Sequence, residues 1–240
     1  MAAMTSRIAK LPSALVALIA VLASFSTRAI GADAAHPEVL ELFQSQGCSS
    51  CPPANANVIA LSGRRDILAL SFEVTYWDNL GWKDTFDQPS FTARQYDYAK
   101  SLGHPNVFTP QVVVNGRRDG VGVDARALRG LLAAADRGDG GPMISIGSQT
   151  VGISAGTAGN GADVWLVRYD PRIIQVSIKR GENGGKTLPH KNIVRSLTRI
   201  ARWTGRPLTL AIPPKADAAW KTAVLVQKSG GGPILAAAES

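Results

Sequence analysis

Gln46-Gly47-Cys48-Ser49-Ser50-Cys51-Pro52-Pro53 is the stretch whose reading decides this chain. It holds both cysteines, two residues apart. The apolar run Val39-Leu40-Glu41-Leu42-Phe43 just before it predicts a buried strand. A helical pattern with Val58, Ile59 and Leu61 follows, and Gly63 ends it. Pro52 and Pro53 have no N–H to donate, which suits only a first helical turn, so the helix start is placed at the cysteines. A thiol pair at a strand-to-helix junction points to redox chemistry, because free N–H groups at a helix start stabilise a thiolate. Cys48 is then the candidate nucleophile, and Cys51 the group that resolves a mixed disulfide.

Working outward, residues 67–72 form a near-continuous apolar run, as expected of a strand covered on both faces. Strand, helix and strand make a right-handed parallel crossover. The connection 73–87 is long and aromatic, with Tyr76, Trp77, Trp82 and Phe86, and loops of that length are usually functional or packed by their own side chains. Glu73, Trp77 and Trp82 are candidates for a substrate groove beside the cysteines, with Glu73 also a candidate proton-transfer group for Cys51. Residues 90–102 predict a second helix that Gly103 stops.

Thr109-Pro110 then leads into Val112-Val113-Val114, and Asn115-Gly116 joins this run to 117–121 as a hairpin. Pro110 stands at a strand entrance, the position a proline accepts most easily. Asp124 caps a third helix with Leu128, Leu131 and Leu132 at helical spacing. Strand, helix, strand, helix, hairpin, helix is a thioredoxin-like order. In that setting Thr109-Pro110 is expected to be cis, to pack against the cysteines and to offer backbone groups to a partner chain. Cys48, Cys51, Thr109 and Pro110 are the expected catalytic set.

Gly138-Asp139-Gly140-Gly141-Pro142 reads as a linker. Beyond it come short β-like runs separated by Gly- and Pro-rich turns, which favour a small sandwich or barrel. Residues 193–203 suit strand or helix equally. The turn Arg180-Gly181-Glu182-Asn183-Gly184-Gly185-Lys186, followed by His190, predicts a tight hairpin presenting charged groups to solvent. The expected fold is an α/β thioredoxin-like domain over 35–137 followed by a smaller, mostly-β, sandwich-like domain over 143–240 of unassigned role, with 138–142 between them.

The first 34 residues look like a signal peptide. Arg7 and Lys10 precede an apolar stretch, and the small residues Ala32-Asp33-Ala34 end it. A periplasmic or secreted protein is expected, with no membrane contact once the leader is removed. Of the 240 residues, 45% are hydrophobic and 18% charged, ordinary for a packed domain. The net charge of +8 is spread without a Lys/Arg block, which argues against nucleic acid as a partner.

Two further readings of the cysteine pair stay open. The first is a structural disulfide in a non-catalytic binding module. The second is a Cu(I) site, since copper(I) accepts two soft ligands. Zinc needs more ligands, and none of His36, His104 and His190 is close in sequence, so no metal or other cofactor is assigned. An exposed Cys48 thiolate favours exchange with exported protein thiols or disulfides. A buried bridge favours the module.

The chain also resembles the thioredoxin-like secreted bacterial family known as domain of unknown function 1223. The residues that carry the likeness are Glu41-Leu42-Phe43-Gln44-Ser45-Gln46-Gly47-Cys48-Ser49-Ser50-Cys51-Pro52-Pro53-Ala54, Tyr76-Trp77-Asp78, Leu80-Gly81-Trp82-Lys83-Asp84, Phe91-Thr92-Ala93-Arg94-Gln95, Thr109-Pro110-Gln111 and Gly181-Glu182-Asn183. The resemblance implies a thioredoxin-like domain joined to a β-rich one, and no settled activity. A His and an Asp are common in that family at the positions of Glu73 and Thr75, so this member departs from the pattern there.

Overall fold

The computed structural model describes residues 1–2 and 32–240. The expected signal peptide therefore lies almost wholly outside the described residues. In chain order the first part forms β1 (Glu38–Gln44), α1 (Cys51–Leu61), β2 (Ile67–Glu73), a 3-10 helix (Thr75–Leu80), α2 (Pro89–Leu102), β3 (Gln111–Val114), β4 (Arg118–Gly120) and α3 (Ala125–Ala134). The remainder is all strand: β5 (Ile144–Ile146), β6 (Thr150–Ile153), β7 (Ala162–Asp170), β8 (Ile174–Ser177), β9 (Thr187–His190), β10 (Ile193–Trp203), β11 (Leu208–Ala211), β12 (Lys221–Lys228) and β13 (Ile234–Glu239).

The local signals act as their chemistry requires. Asp124 caps α3 by accepting from Ala127 N at 2.7 Å. Gly103 ends α2 with φ +79°, the left-handed conformation that a helix stop favours. Asn115 and Gly116 both have positive φ, as the two-residue turn between β3 and β4 demands. Side chains of β1 alternate between faces: Val39 and Phe43 pack towards α2, while Leu40 and Leu42 pack under α1 and α3.

The architecture overturns the expected one. The protein is mostly β, and eight strands from both parts of the chain make one mixed sheet in the order β13-β12-β7-β10-β2-β1-β3-β4. It is not an α/β thioredoxin-like domain followed by a sandwich. Two small sheets, β11-β6-β5 and β8-β9, complete the structure.

The joint is between β2 and β10. They meet in parallel at Ile193 and Ser71, Ser71 N donates to Asn192 O at 2.9 Å, and Asn192 Nδ2 donates to Ala69 O at 2.8 Å. A free edge on β2 would leave buried backbone groups unpaired, and Asn192 with the start of β10 pairs the stretch around Ala69 and Ser71.

One core cluster accordingly draws on both parts, with Phe43, Leu70, Phe72, Phe91 and Tyr98 packed with Val167, Tyr169, Val194, Leu225 and Ile234. A buried polar network crosses the same boundary. Arg94 on α2 grips Glu41 on β1 at 2.7 and 3.1 Å, Tyr98 also bonds Glu41, and Gln227 on β12 donates to Tyr98 OH at 3.0 Å. Glu41 is fully buried, so its charge is tolerable only with this partnership.

Candidate functional site

Cys48 and Cys51 form a disulfide with a Cα–Cα separation of 5.4 Å. Both are buried, at 0% and 1% exposure, although Ser49 and Ser50 between them are exposed. The bridge sits where β1 ends and α1 begins. α1 starts at Cys51 itself, with Ser50 as the capping residue, so Cys48 lies just outside the helix.

That placement corrects one physical expectation. The N–H groups of a helix start do not serve the Cys48 sulfur here. Pro52 and Pro53 have none, and Cys51 N is spent on Cys48 O at 3.2 Å. Two hydroxyls are there instead. Thr109 Oγ1 donates to Cys48 Sγ at 3.4 Å, and Ser50 Oγ lies 3.3 Å from the same sulfur. The Thr109–Pro110 bond is cis, and Pro110 is buried at the entrance to β3.

The aromatic connection holds this arrangement. Trp77 Nε1 donates to Thr109 Oγ1 at 2.8 Å, and Trp82 Nε1 donates to Gln46 Oε1 at 2.9 Å. Asp84 accepts from Gln46 N at 2.7 Å and from Phe86 N at 2.9 Å. Burial, reinforced by the neighbouring Glu73 charge, pushes the Asp84 carboxyl up to about 8 against the pull of those two N–H groups. Trp77 and Trp82 are half-buried at the cysteine loop and contribute through their N–H groups.

Glu73 is elsewhere than on a surface groove. It is fully buried at the end of β2, where Oε1 accepts from Gln44 Nε2 at 3.1 Å and lies 3.2 Å from His190 Nδ1. Glu73 Oε2 and His190 Nε2 have no hydrogen-bond partner among the described residues. Gln44 also bonds Asn55, one turn beyond Cys51, so this polar group lies beneath α1.

The 180–186 turn is not a solvated tip. Asn183 is fully buried and its Nδ2 donates to Gln46 O and Cys48 O, each at 2.9 Å. Glu182 Oε2 accepts from Ser49 N at 3.1 Å and from Ser49 Oγ at 2.6 Å, which holds the Glu182 carboxyl below the usual range. Gly181 has φ +74° and lies within 3.3 Å of the Trp82 side chain, measured from the Cβ it lacks. The glycines and charges of this turn mark it in the sequence but not its target, because sequence separation hides a contact 135 residues long. The one signal that grouped it with the cysteines was the family likeness at Gly181-Glu182-Asn183.

Among the described residues, no group of three or more His, Cys, Asp or Glu side chains is placed to hold a metal ion. Nor is any helix among them long and apolar enough to cross a membrane.

The sequence profile of the family described as "Protein of unknown function (DUF1223)" matches residues 39–227. A crystal structure of protein AGR_C_4864 from Agrobacterium tumefaciens is similar, at 31% identity and a TM-score of 0.72, over 87% of this chain and 94% of that one. HBP35 of Porphyromonas gingivalis, at 14% identity, shares the fold with a TM-score of 0.57 over 88% of this chain and 76% of that one. Comparison with curated proteins returned no match.

Proposed function

The chain belongs to the DUF1223 family, and from that premise we propose that it is an exported thiol–disulfide exchange protein acting through Cys48 and Cys51. The observation that carries this reading is the pair of hydroxyls at Cys48 Sγ, 3.3 and 3.4 Å away. A bridge that only staples the chain needs no hydroxyl directed at one of its sulfurs, and Thr109 Oγ1 donates to Cys48 Sγ while Ser50 Oγ lies between that sulfur and Thr109 O. A cysteine that must stand as a thiolate gains its leaving ability and its nucleophilicity window from them.

A partner thiolate attacks Cys48 Sγ, and Cys51 leaves as a thiolate. The partner's second thiolate then attacks its own sulfur in the mixed disulfide and expels Cys48 as a thiolate. Two electrons pass from the partner dithiol to the Cys48–Cys51 bond, and the reverse sequence oxidises a partner. The partner class is exported protein thiols or disulfides, and the half-buried Thr109 and Trp77 beside Cys48 are the groups such a chain would meet first.

The Cys51→Ser variant tests the assignment. Incubated with an unfolded polypeptide that carries a disulfide, it is expected to hold that polypeptide on Cys48 as a mixed disulfide, seen by intact mass. A variant that stays unmodified contradicts the reading.

A second reading has its own observation. Both cysteines are buried, which favours a binding module with an inert bridge.

A further inference from the structure

The disulfide is buried, yet exchange requires a partner sulfur to approach one of its two atoms. Besides Trp82 and Asp84 at Gln46, the tip of the β8–β9 hairpin holds the cysteine loop closed. Four hydrogen bonds from two of its side chains grip the loop on both sides of Cys48: Asn183 takes the carbonyls of Gln46 and Cys48, and Glu182 takes the N–H and hydroxyl of Ser49.

The tip is itself preorganised. Gly184 N donates to Gly181 O at 3.0 Å, Lys186 N donates to Asn183 O at 3.1 Å, and Lys186 Nζ donates to Asn183 Oδ1 at 2.9 Å. With Oδ1 taken by an ammonium and both hydrogens of Nδ2 committed to carbonyls, the Asn183 amide has one orientation. The base of the hairpin is tied to α1 as well, through Asn55 Nδ2 to Pro189 O at 2.6 Å. The loop 46–50 cannot swing Cys48 outward without breaking the bonds at the tip.

We propose that Asn183 and Glu182 are positioning residues for the cysteine pair, and that the 180–186 tip is a strap which admits to the disulfide only partners able to displace it. This rests on the exchange reading for its purpose, though the strap itself is testable without it. Glu182 and Ser49 are both exposed, so replacing them removes the latch without opening the core. A displacing partner has to satisfy the Ser49 N–H and hydroxyl in place of Glu182, which a backbone carbonyl or a carboxylate of a polypeptide does. The strap therefore discriminates between polypeptide partners and small thiols.

The experiment measures how fast a water-soluble phosphine in excess reduces the oxidised mature protein, followed by alkylation and mass. Glu182→Ala is expected to raise the rate at least fivefold, Ser49→Ala by less, and the double variant no further than Glu182→Ala, since both remove one contact. Thermal midpoints are expected to stay within about 3 °C of the parent, which separates a latch from a general loss of stability. Rates unchanged in both single variants, or additive in the double, overturn the strap. The phosphine rate does not depend on the reduction potential. A faster Glu182→Ala with a structural-type potential keeps the strap and removes the exchange reading, and an exchange-type potential with unchanged rates does the opposite.

Discussion

Trp77 Nε1 donates to Thr109 Oγ1 at 2.8 Å, and that same oxygen stands 3.4 Å from Cys48 Sγ. An indole N–H can only donate, so Thr109 Oγ1 must accept from it, and the hydroxyl hydrogen is left to point at the sulfur. The tryptophan therefore sets the direction of a hydrogen bond that it does not make. Under the exchange reading, a Cys48 thiolate would be stabilised by a threonine and a tryptophan in place of the helix start.

Thr109→Val keeps the shape and removes the donor. A hydrogen bond to a charged group contributes about 1.5–3 kcal/mol, so the Cys48 thiol of the reduced protein is expected to rise by about one pKa unit or more. Trp77→Phe is expected to raise it by less, because Thr109 keeps its hydroxyl but loses its orientation. The pH dependence of iodoacetamide alkylation measures both. Equal thiol titration in parent and Thr109→Val contradicts the assignment.

Stability is expected to fall as pH rises from about 4 to above 8. Burial pushes Asp84 from 3.8 up to about 8, and burial with the neighbouring Asp136 pushes Glu38 from 4.5 up to about 7. Each group is more easily protonated folded than unfolded, so its contribution is whole below the unfolded value and is lost as pH passes the folded one. With solvent screening taken into account, the loss between pH 5 and 9 is expected to be about 1–3 kcal/mol in urea denaturation. Glu38→Gln, which mimics the neutral carboxyl, is expected to flatten the part of the slope below pH 7.

Arg94→Met leaves the Glu41 carboxylate buried without its cation, and is expected to cost about 3–5 kcal/mol. Replacing both partners, as Glu41→Leu with Arg94→Met, is expected to recover much of that loss. Because Gln227 on β12 joins this network through Tyr98, the transition is expected to stay single. Near-ultraviolet and far-ultraviolet signals that separate into two transitions contradict the one-sheet architecture.

Gly116 has φ +60°, and a Cβ added there would come within 2.4 Å of Gly232 O in the turn between β12 and β13. Gly116→Ala is expected to destabilise the protein by about 1–3 kcal/mol, read as a lower urea midpoint. A neutral substitution would mean that the two turns do not meet closely.

The strands and α-helices up to α3 were legible because their signals are local, whereas the 3-10 helix Thr75–Leu80 lay within what read as a loop. The apolar run of β1, Asp124, Gly103 and Asn115-Gly116 each act through a few neighbouring residues. The sheet was not legible, because nothing in residues 67–72 says which strand covers their free edge. The run 138–142 looked like a boundary on composition, yet β10, far beyond it, lies against β2. At the site, Cys48 and Cys51 are bridged, Thr109 bonds the Cys48 sulfur, and the Thr109–Pro110 bond is cis. The cover does not show in the sequence: Glu182, Asn183 and His190 reach their partners only through the hairpin's place in three dimensions. Burial of Glu73 followed the same logic, since its position at a strand end suggested exposure until His190 was packed over it.

The most direct test of the exchange reading is the reduction potential of the Cys48–Cys51 pair, from equilibration of the protein against glutathione buffers. The account predicts a value between about −270 and −120 mV, the span of exchange proteins. A value below about −300 mV would mark a structural bridge and contradict it.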